Sequence, residues 1–340
     1  MKSISDIKEL LAMSGKPGSI PDNLMAFFLY LNEVKRIVKQ EEFKAFAMNS
    51  KEIDSLAEII DEMVAYCHEN LRFQIAFSKW DDSAQLNHWS FLEFNFNGST
   101  TPTLDILICD PLGFVQSLVL TNLLSCGLEL GRLSKFCKLN VYIPSDILQN
   151  SGRGCAYFVS DSISMLSNQD KFNPLYDYMS THQQDQQKKR AINTLLSFRE
   201  AVAVAYTEEE LDDIYKFNIV VSSLPTRLIR TQQSVETLTK EILELEDRGS
   251  EIVNKKGETA SDSILRHSFF VKTRNEQQEY RNMRVNIKME KLGENVRGVS
   301  SEIISEEEVP MFNEAVQKHS LSGLAEFIEE FTKTEGLIHK

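Results

Sequence analysis

The residues best suited to covalent chemistry are a cysteine, a histidine and an aspartate in three separate segments. Cys155 follows a polar turn that contains Ser151, Gly152 and Gly154, and a helical spacing of apolar residues begins behind it. We therefore predict that the cysteine opens a helix, where the helix dipole and free N–H groups stabilise a thiolate. Gln149, just upstream, can donate its amide to an oxyanion near the thiol. A buried structural cysteine beside a tight turn is the alternative.

A base and an acid for this cysteine are available on two strand-like segments. His88 stands at the head of an aromatic run, and Asp110 ends an apolar run just before Pro111. A cysteine nucleophile needs a base that takes its proton and an acid that fixes the tautomer of that base. His88, Asp110 and Cys155 supply these parts in that chain order. Asp105, on the same apolar run, is the alternative acid.

The spacing of apolar residues predicts the elements that must position these side chains. Residues 1–70 are predicted to be helical, with one long helix from Pro21 and Asp22 and another from Ser50 or Lys51. Strands are predicted at 72–77, 88–96, 104–110, 138–143 and 219–224, with a hairpin connection between the second and third. Helices are predicted at 114–126, from Cys155 onwards, at 187–206, 208–215 and 234–246, and within 310–331. Residues 170–187 are predicted to form a polar loop or the solvated start of a helix.

Composition and charge narrow the class of protein. The chain has 340 residues, 42% of them hydrophobic, which is enough for one large or two small domains. It lacks an apolar run long enough for a membrane span, and its first residues lack a signal-peptide pattern. Five scattered cysteines indicate a reducing compartment and argue against a disulfide framework or a zinc site. A net charge of −13 disfavours general nucleic-acid binding.

A basic segment interrupts this acidic chain between residues 254 and 291. Lys255, Lys256 and Arg266 lie in it, together with further lysines and arginines. A solvated basic face is one interpretation of the segment, and an anion-binding site is the other.

These residues resemble the YopJ family of bacterial effector acetyltransferases, whose core is that of the CE-clan cysteine proteases. The resemblance spans residues 50 to 285 and rests on the order of His88, Asp110 and Cys155 together with four short segments. Those segments are Asn70-Leu71-Arg72-Phe73-Gln74-Ile75, Gln149-Asn150-Ser151, Leu224-Pro225 with Arg230-Thr231-Gln232-Gln233-Ser234, and Val253-Asn254-Lys255-Lys256-Gly257-Glu258-Thr259. Two features depart from the family: Asp110 replaces a common glutamate, and Arg230-Thr231 replaces a common Lys-His pair.

The resemblance implies an α+β fold, with a papain-like CE-clan core and a flanking α-helical regulatory region contributed by both chain ends. It divides the chain into four parts. They are an N-terminal helical region (1–70), a catalytic core (71–225, with a helical insertion at 170–215), a regulatory and phosphate-binding region (226–291) and an acidic helical extension (292–340).

The resemblance also implies the reaction. Acetyl passes from acetyl-CoA through a thioester on Cys155 to Ser, Thr or Lys of host signalling or immune proteins. Inositol hexakisphosphate is the implied activator, and secretion by a bacterium into the host cytoplasm is the implied route. His88, Asp110, Cys155 and Gln149 fall at catalytic positions. Asn150, Ser151 and Gln233 fall at positions that contact CoA, and Arg230, Thr231, Lys255, Lys256 and Arg266 are the predicted cofactor and phosphate ligands.

Two other functions remain open at this point. Sister families use the same three residue types to cleave ubiquitin or ubiquitin-like conjugates, and the segment 253–259 with the basic segment favours acetyl transfer over that hydrolysis. An inactive adaptor that only binds host proteins is the second alternative. The presence of all three catalytic residue types argues against it.

Overall fold

A mixed six-stranded sheet is the centre of the fold. The computed structural model describes residues 4–13, 20–37, 42–81, 86–149, 155–167, 174–202, 207–229, 248–253, 257–262 and 309–332. The strands are β1 (Ala45–Asn49), β2 (Asn70–Asp81), β3 (Leu86–Asn97), β4 (Thr103–Cys109), β5 (Lys138–Pro144) and β6 (Asn218–Ser222). They lie in the sheet in chain order. The pairs β1–β2, β4–β5 and β5–β6 are parallel, whereas β2–β3 and β3–β4 are antiparallel.

Helices connect the strands and cover both faces of the sheet. Before β5 they are α1 (Ile4–Ala12), α2 (Asp22–Ile37), α3 (Ile53–Tyr66, after a 3-10 turn at Ser50–Glu52), α4 (Phe114–Gly127) and α5 (Leu130–Leu133). After β5 they are α6 (Cys155–Leu166), α7 (Leu175–Thr181), α8 (Asp185–Val202), α9 (Glu208–Asp213), α10 (Thr226–Ile229), α11 (Val309–Lys318) and α12 (Leu321–Thr332), with a second 3-10 turn at Arg248–Ser250. No helix in the described ranges is long and apolar enough to cross a membrane.

Alternate side chains of the strands pack into two separate cores. In β4, Leu104, Ile106 and Ile108 belong to one core, and Leu107 and Cys109 belong to the other. This follows from the two-residue period of a strand. The first of these cores includes side chains of α3, α4, α5, α8 and α12, and the second includes side chains of α1, α2, α6, α7 and α11. The sheet is therefore the middle layer of three.

The two ends of the described chain meet at β1. The backbone N–H of Ala47 donates to the carbonyl of His319 (2.7 Å), and a ring nitrogen of His319 lies 2.8 Å from the carbonyl oxygen of Ala45. The other ring nitrogen and Lys318 contact Glu33 on α2, at 3.1 and 2.8 Å. The turn between α11 and α12 thus covers the β1 edge of the sheet.

The α+β class is confirmed, as are the β3–β4 hairpin, the helix from Asp22 and the helix that opens with Cys155. Two predictions are wrong. Residues 45–49 form a strand within the region predicted to be helical, and residues 175–181 form a helix within the predicted polar loop. The predicted helix at 234–246 lies outside the described residues.

Candidate active site

The site lies at one end of the sheet, where β3 begins and β4 ends. The two strands are antiparallel, with Phe91 opposite Cys109. The residues before Phe91 are therefore next to those after Cys109. This register places His88, near the start of β3, beside Asp110, the first residue after β4.

Asp110 is fixed by the turn that it starts. Gly113 N–H donates to the Asp110 carbonyl (2.9 Å), and Leu112 N–H donates to Oδ1 of Asp110 (2.9 Å). An aspartate at the first position, a proline at the second and a glycine at the fourth favour such a turn. Gly113 has a φ of 106°, which a side chain would disfavour. The backbone N–H of Asp110 donates to the hydroxyl of Ser117 on α4 (2.9 Å).

The Asp110 carboxylate contacts the imidazole directly. Its Oδ2 lies 2.6 Å from Nε2 of His88 and accepts a second hydrogen bond from the Ser90 hydroxyl (2.8 Å). Asp110 is 3% exposed, so water competes little for these oxygens. Since Nε2 faces the carboxylate, Nδ1 is the ring nitrogen left for the thiol.

Cys155, the first residue of α6, lies over the backbone of β3. Its Sγ accepts a hydrogen bond from the N–H of Trp89 (3.4 Å) and, as a thiol, donates to the carbonyl of Asn87 (3.7 Å). Trp89 and Asn87 donate their side-chain N–H groups to the carbonyl of Ile20, at 3.0 and 3.3 Å. Ile20, two residues before α2, therefore supports the strand segment that contacts the sulfur.

His88 is protonated more readily than an ordinary histidine. Burial lowers its pKa, but hydrogen bonds and charge interactions with Asp110 and Cys155 outweigh burial and raise the pKa to about 10. The imidazolium is therefore the favoured form near neutral pH. An imidazolium between a carboxylate and a sulfur stabilises a thiolate, which is the nucleophilic form of cysteine.

The structure places the remaining predicted residues as follows. Gln149 is buried (2% exposed), and its backbone N–H donates to the carbonyl of Pro111 (2.7 Å), next to Asp110. Asp105, the alternative acid, lies in β4 and accepts from Asn140 (2.7 Å) and Asn95 (3.4 Å). Asn150, Ser151, Arg230, Thr231, Gln233, Lys255, Lys256 and Arg266 lie outside the described residues.

Two residues at the site were missed in the sequence. Ser90 is two positions after His88 on the same strand, so the two-residue period of β3 could have identified it as a neighbour of the imidazole. The sequence gives no such signal for Ser117, because this residue reaches Asp110 from the first turn of α4. Within the described ranges, no group of three His, Cys, Asp or Glu side chains is arranged to bind a metal ion.

Comparison with known proteins bears on the identity of the chain. The family model described as YopJ Serine/Threonine acetyltransferase matches residues 27–293. No curated protein sequence matches this chain. A solved structure of AvrA with IP6 and CoA has 16% identity and a TM-score of 0.44, over 84% of this chain and 88% of that one. HopZ1a in complex with IP6 has 13% identity and a TM-score of 0.46, over 84% of this chain and 96% of that one. HopZ1a with IP6 and CoA has 12% identity and a TM-score of 0.45, over the same shares.

Proposed function

This chain belongs to the YopJ Serine/Threonine acetyltransferase family, and from that membership we propose that it moves acetyl from acetyl-CoA to Ser, Thr or Lys of host proteins. The observation that carries the proposal is geometric: at one end of the sheet His88 contacts Asp110, and the neighbouring Trp89 N–H donates to Sγ of Cys155. We further propose that the protein is delivered by a bacterium into the host cell, where its acceptors are signalling or immune proteins.

In the first half-reaction the Cys155 thiolate attacks the acetyl thioester. Sγ forms a bond to the carbonyl carbon, and the carbonyl electron pair moves onto oxygen. The Gln149 amide and the Cys155 backbone N–H donate to this oxyanion, and one such donor contributes about 10²–10³-fold in rate. The oxyanion then collapses, the bond to the CoA sulfur breaks, and CoA leaves as a thiol with the proton from His88.

In the second half-reaction His88, now neutral, acts as the base. It takes the proton of the acceptor hydroxyl or amine while the acceptor attacks the carbonyl carbon of acetyl-Cys155. The bond between that carbon and Sγ breaks, and the thiolate and imidazolium form again. Asp110 binds Nε2 throughout, so that Nδ1 always faces the sulfur.

We also propose that inositol hexakisphosphate activates the enzyme and that Asn150, Ser151 and Gln233 contact CoA. Arg230, Thr231, Lys255, Lys256 and Arg266 are the proposed phosphate ligands. Support comes from the sequence, where Lys255, Lys256 and Arg266 lie in a basic segment of a chain with a net charge of −13. AvrA has been solved with IP6 and CoA, and HopZ1a has been solved in complex with IP6 alone and with IP6 and CoA together.

Labelled acetyl-CoA tests the proposal. The purified full-length chain, incubated with acetyl-CoA that carries ¹⁴C in the acetyl group and with inositol hexakisphosphate, should acquire label that neutral hydroxylamine releases, as expected of a thioester. Cys155→Ala should acquire no such label. Cys126→Ala, which removes a half-buried thiol on α4, should label as the wild type does.

The same preparation separates transfer from hydrolysis. If wild-type protein gains no hydroxylamine-sensitive label but cleaves a fluorogenic ubiquitin or ubiquitin-like conjugate in a Cys155-dependent manner, the function is proteolysis. If neither reaction occurs, the catalytic proposal fails and the adaptor alternative gains support.

A further inference from the structure

Two arginines bind the end of α6 that is opposite Cys155. Arg72 on β2 donates from Nη2 to the carbonyl of Leu166, the last residue of α6 (3.1 Å). Arg36 at the end of α2 donates from Nη2 to the carbonyl of Ser164 and to the hydroxyl of Ser167 (3.0 Å). The two contacts reach α6 from different layers of the fold, one from the sheet and one from a neighbouring helix.

Arg72 is itself fixed by a buried carboxylate. Nη2 of Arg72 lies 3.0 Å from Oε1 of Glu93 on β3, and Glu93 is fully buried. Gln74 donates to Oε2 of Glu93 (2.8 Å), and the Tyr176 hydroxyl donates to Oε1 (3.1 Å). With these partners, the carboxylate gives Arg72 one defined position against the end of the helix.

The contacts of Arg72 and Arg36 with the end of α6 can fix the position of this helix along its own axis. The last carbonyls of a helix lack partners within it and carry partial negative charge, so arginine donors satisfy and stabilise them. A buried ion pair, however, adds little net stability, because removing both charges from water costs about as much as their attraction gains. The network therefore contributes more to geometry than to stability.

The opposite end of α6 carries the sulfur. A rise of about 1.5 Å per residue places Cys155 about 17 Å from Leu166 along a rigid helix, so a shift at one end moves the other equally. A misplacement of about 1 Å at a reacting atom can cost about 100-fold in rate. The Sγ contact with Trp89 N–H and the interaction with His88 both depend on this axial position.

We propose that Arg72, fixed by Glu93, and Arg36 are positioning residues that set the axial position of α6 and thereby align Sγ of Cys155 with Trp89 N–H and His88. The role rests on the proposed function, because it assumes that Cys155 is the nucleophile. It concerns residues of β2, β3 and α2 that do not touch the reacting atoms.

Alkylation of Cys155 by iodoacetamide, followed by mass spectrometry as a function of pH, tests this role without acetyl-CoA. In Arg72→Met the alkylation rate at pH 7 should fall about tenfold and its pH midpoint should rise by about one unit, because a displaced sulfur loses the imidazolium. Arg72→Lys keeps the positive charge and a hydrogen-bond donor, so most of the wild-type alkylation rate and pH midpoint should be retained. The kcat of acetyl transfer should fall with the alkylation rate, whereas KM for acetyl-CoA should stay within about twofold.

Arg132→Met is the matched control, since Arg132 pairs with Asp61 and Glu129 in the opposite layer. Arg132→Met should lose both of these ion pairs without changing the pH midpoint of Cys155 alkylation. If Arg72→Met lowers the melting temperature but keeps the wild-type midpoint and kcat, Arg72 is only structural and the proposal is overturned. Should Arg72→Met fail to fold, Arg36→Met and Tyr176→Phe must show smaller shifts in the same direction, and an unchanged midpoint in both overturns the proposal.

The two proposals can fail separately. A wild-type protein that transfers no acetyl, yet shows the midpoint shift in Arg72→Met, overturns the acetyl-transfer function and supports the positioning role.

Discussion

At the scale of single residues, the charge of His88 depends on the two groups that contact it. Its pKa of about 10 is above the ordinary value of 6.5 because the interactions with Asp110 and Cys155 outweigh burial. A pKa that is higher in the folded chain stabilises the fold at low pH. This contribution is complete below about pH 6.5 and is lost as the pH rises to about 10.

The first prediction concerns the acid. Asp110→Asn should keep the fold but reduce acetyl transfer by about 10⁴-fold, since an amide favours the wrong imidazole tautomer. Without the carboxylate, burial should dominate and the pKa of His88 should fall. The alkaline limb of the pH–rate profile should therefore move to lower pH. Residual activity and the NMR titration of the His88 ring measure the two effects.

Asp105→Asn is the matched control for this prediction. Asp105 accepts hydrogen bonds from two asparagines within the sheet and does not contact His88. Activity and the His88 titration should both remain close to wild type. An inactive Asp105→Asn beside a fully active Asp110→Asn would show that the acid has been assigned to the wrong residue.

The second prediction is that Cys155 is the first of the five thiols to be alkylated by limiting iodoacetamide near neutral pH. Burial raises the pKa of the thiols of Cys67, Cys109 and Cys137, in the last case to about 11, so these remain protonated. Peptide mass spectrometry after short exposure reports the order. Labelling of Cys67 or Cys137 at the rate of Cys155 would contradict an activated nucleophile.

The three residues that we propose to react were easier to identify in the sequence than the residues that surround them. His88, Asp110 and Cys155 each stand at the end of an element, where a short motif is visible. The Trp89 N–H and the Asn87 carbonyl contact the sulfur through backbone atoms, which every residue type except proline could supply, so the sequence gives no signal for these contacts. Arg72 and Glu93 show their relation only when β2 and β3 pair.

At the scale of elements, the third prediction concerns α11. Phe312 is 1% exposed and its ring centroid lies 4.8 Å from that of Phe27 on α2, whereas Met311 is 45% exposed. Phe312→Ala should lower the free energy of unfolding by about 3–5 kcal/mol because it leaves a cavity. Met311→Ala should change it by less than about 0.5 kcal/mol. Urea unfolding of both variants measures the difference, and equal losses would show that α11 does not pack on α2.

Local patterns predicted most elements but not β1 or α7. β1 is a five-residue strand with a nearly continuous buried run, so its periodicity cannot distinguish a strand from a buried helical turn. Only the parallel pairing with β2 determines its conformation. α7 has just two fully buried side chains, Leu175 and Met179, and its polar composition is typical of a loop.

At the scale of the whole molecule, the fourth prediction concerns the proposed activator. A polyanion that binds only the folded chain, at a hundred times its Kd, adds about 2.7 kcal/mol of stability. Inositol hexakisphosphate should therefore raise the melting temperature by several degrees, and added salt should reduce that shift. Differential scanning fluorimetry measures it.

Inositol, which lacks the phosphate charges, is the control ligand and should leave the melting temperature unchanged. Replacing Arg230 and Lys256 together with glutamate should abolish both the shift and the activation of acetyl transfer. A wild-type chain that shows no shift at low salt and acetylates at full rate without the phosphate would exclude this activator while leaving the catalytic residues unaffected.

The junction at β1 has a consequence for the order in which the protein matures. Ala45 and His319, which contact each other there, are 274 positions apart in the sequence. Because synthesis runs from the N-terminus, α11 and His319, which contact α2 and β1, are made only after the rest of the sheet. Glu33, which lies on α2 as Arg36 does, gains its contacts with Lys318 and His319 last. We therefore expect the nascent chain to remain catalytically silent until residues 309–332 have emerged.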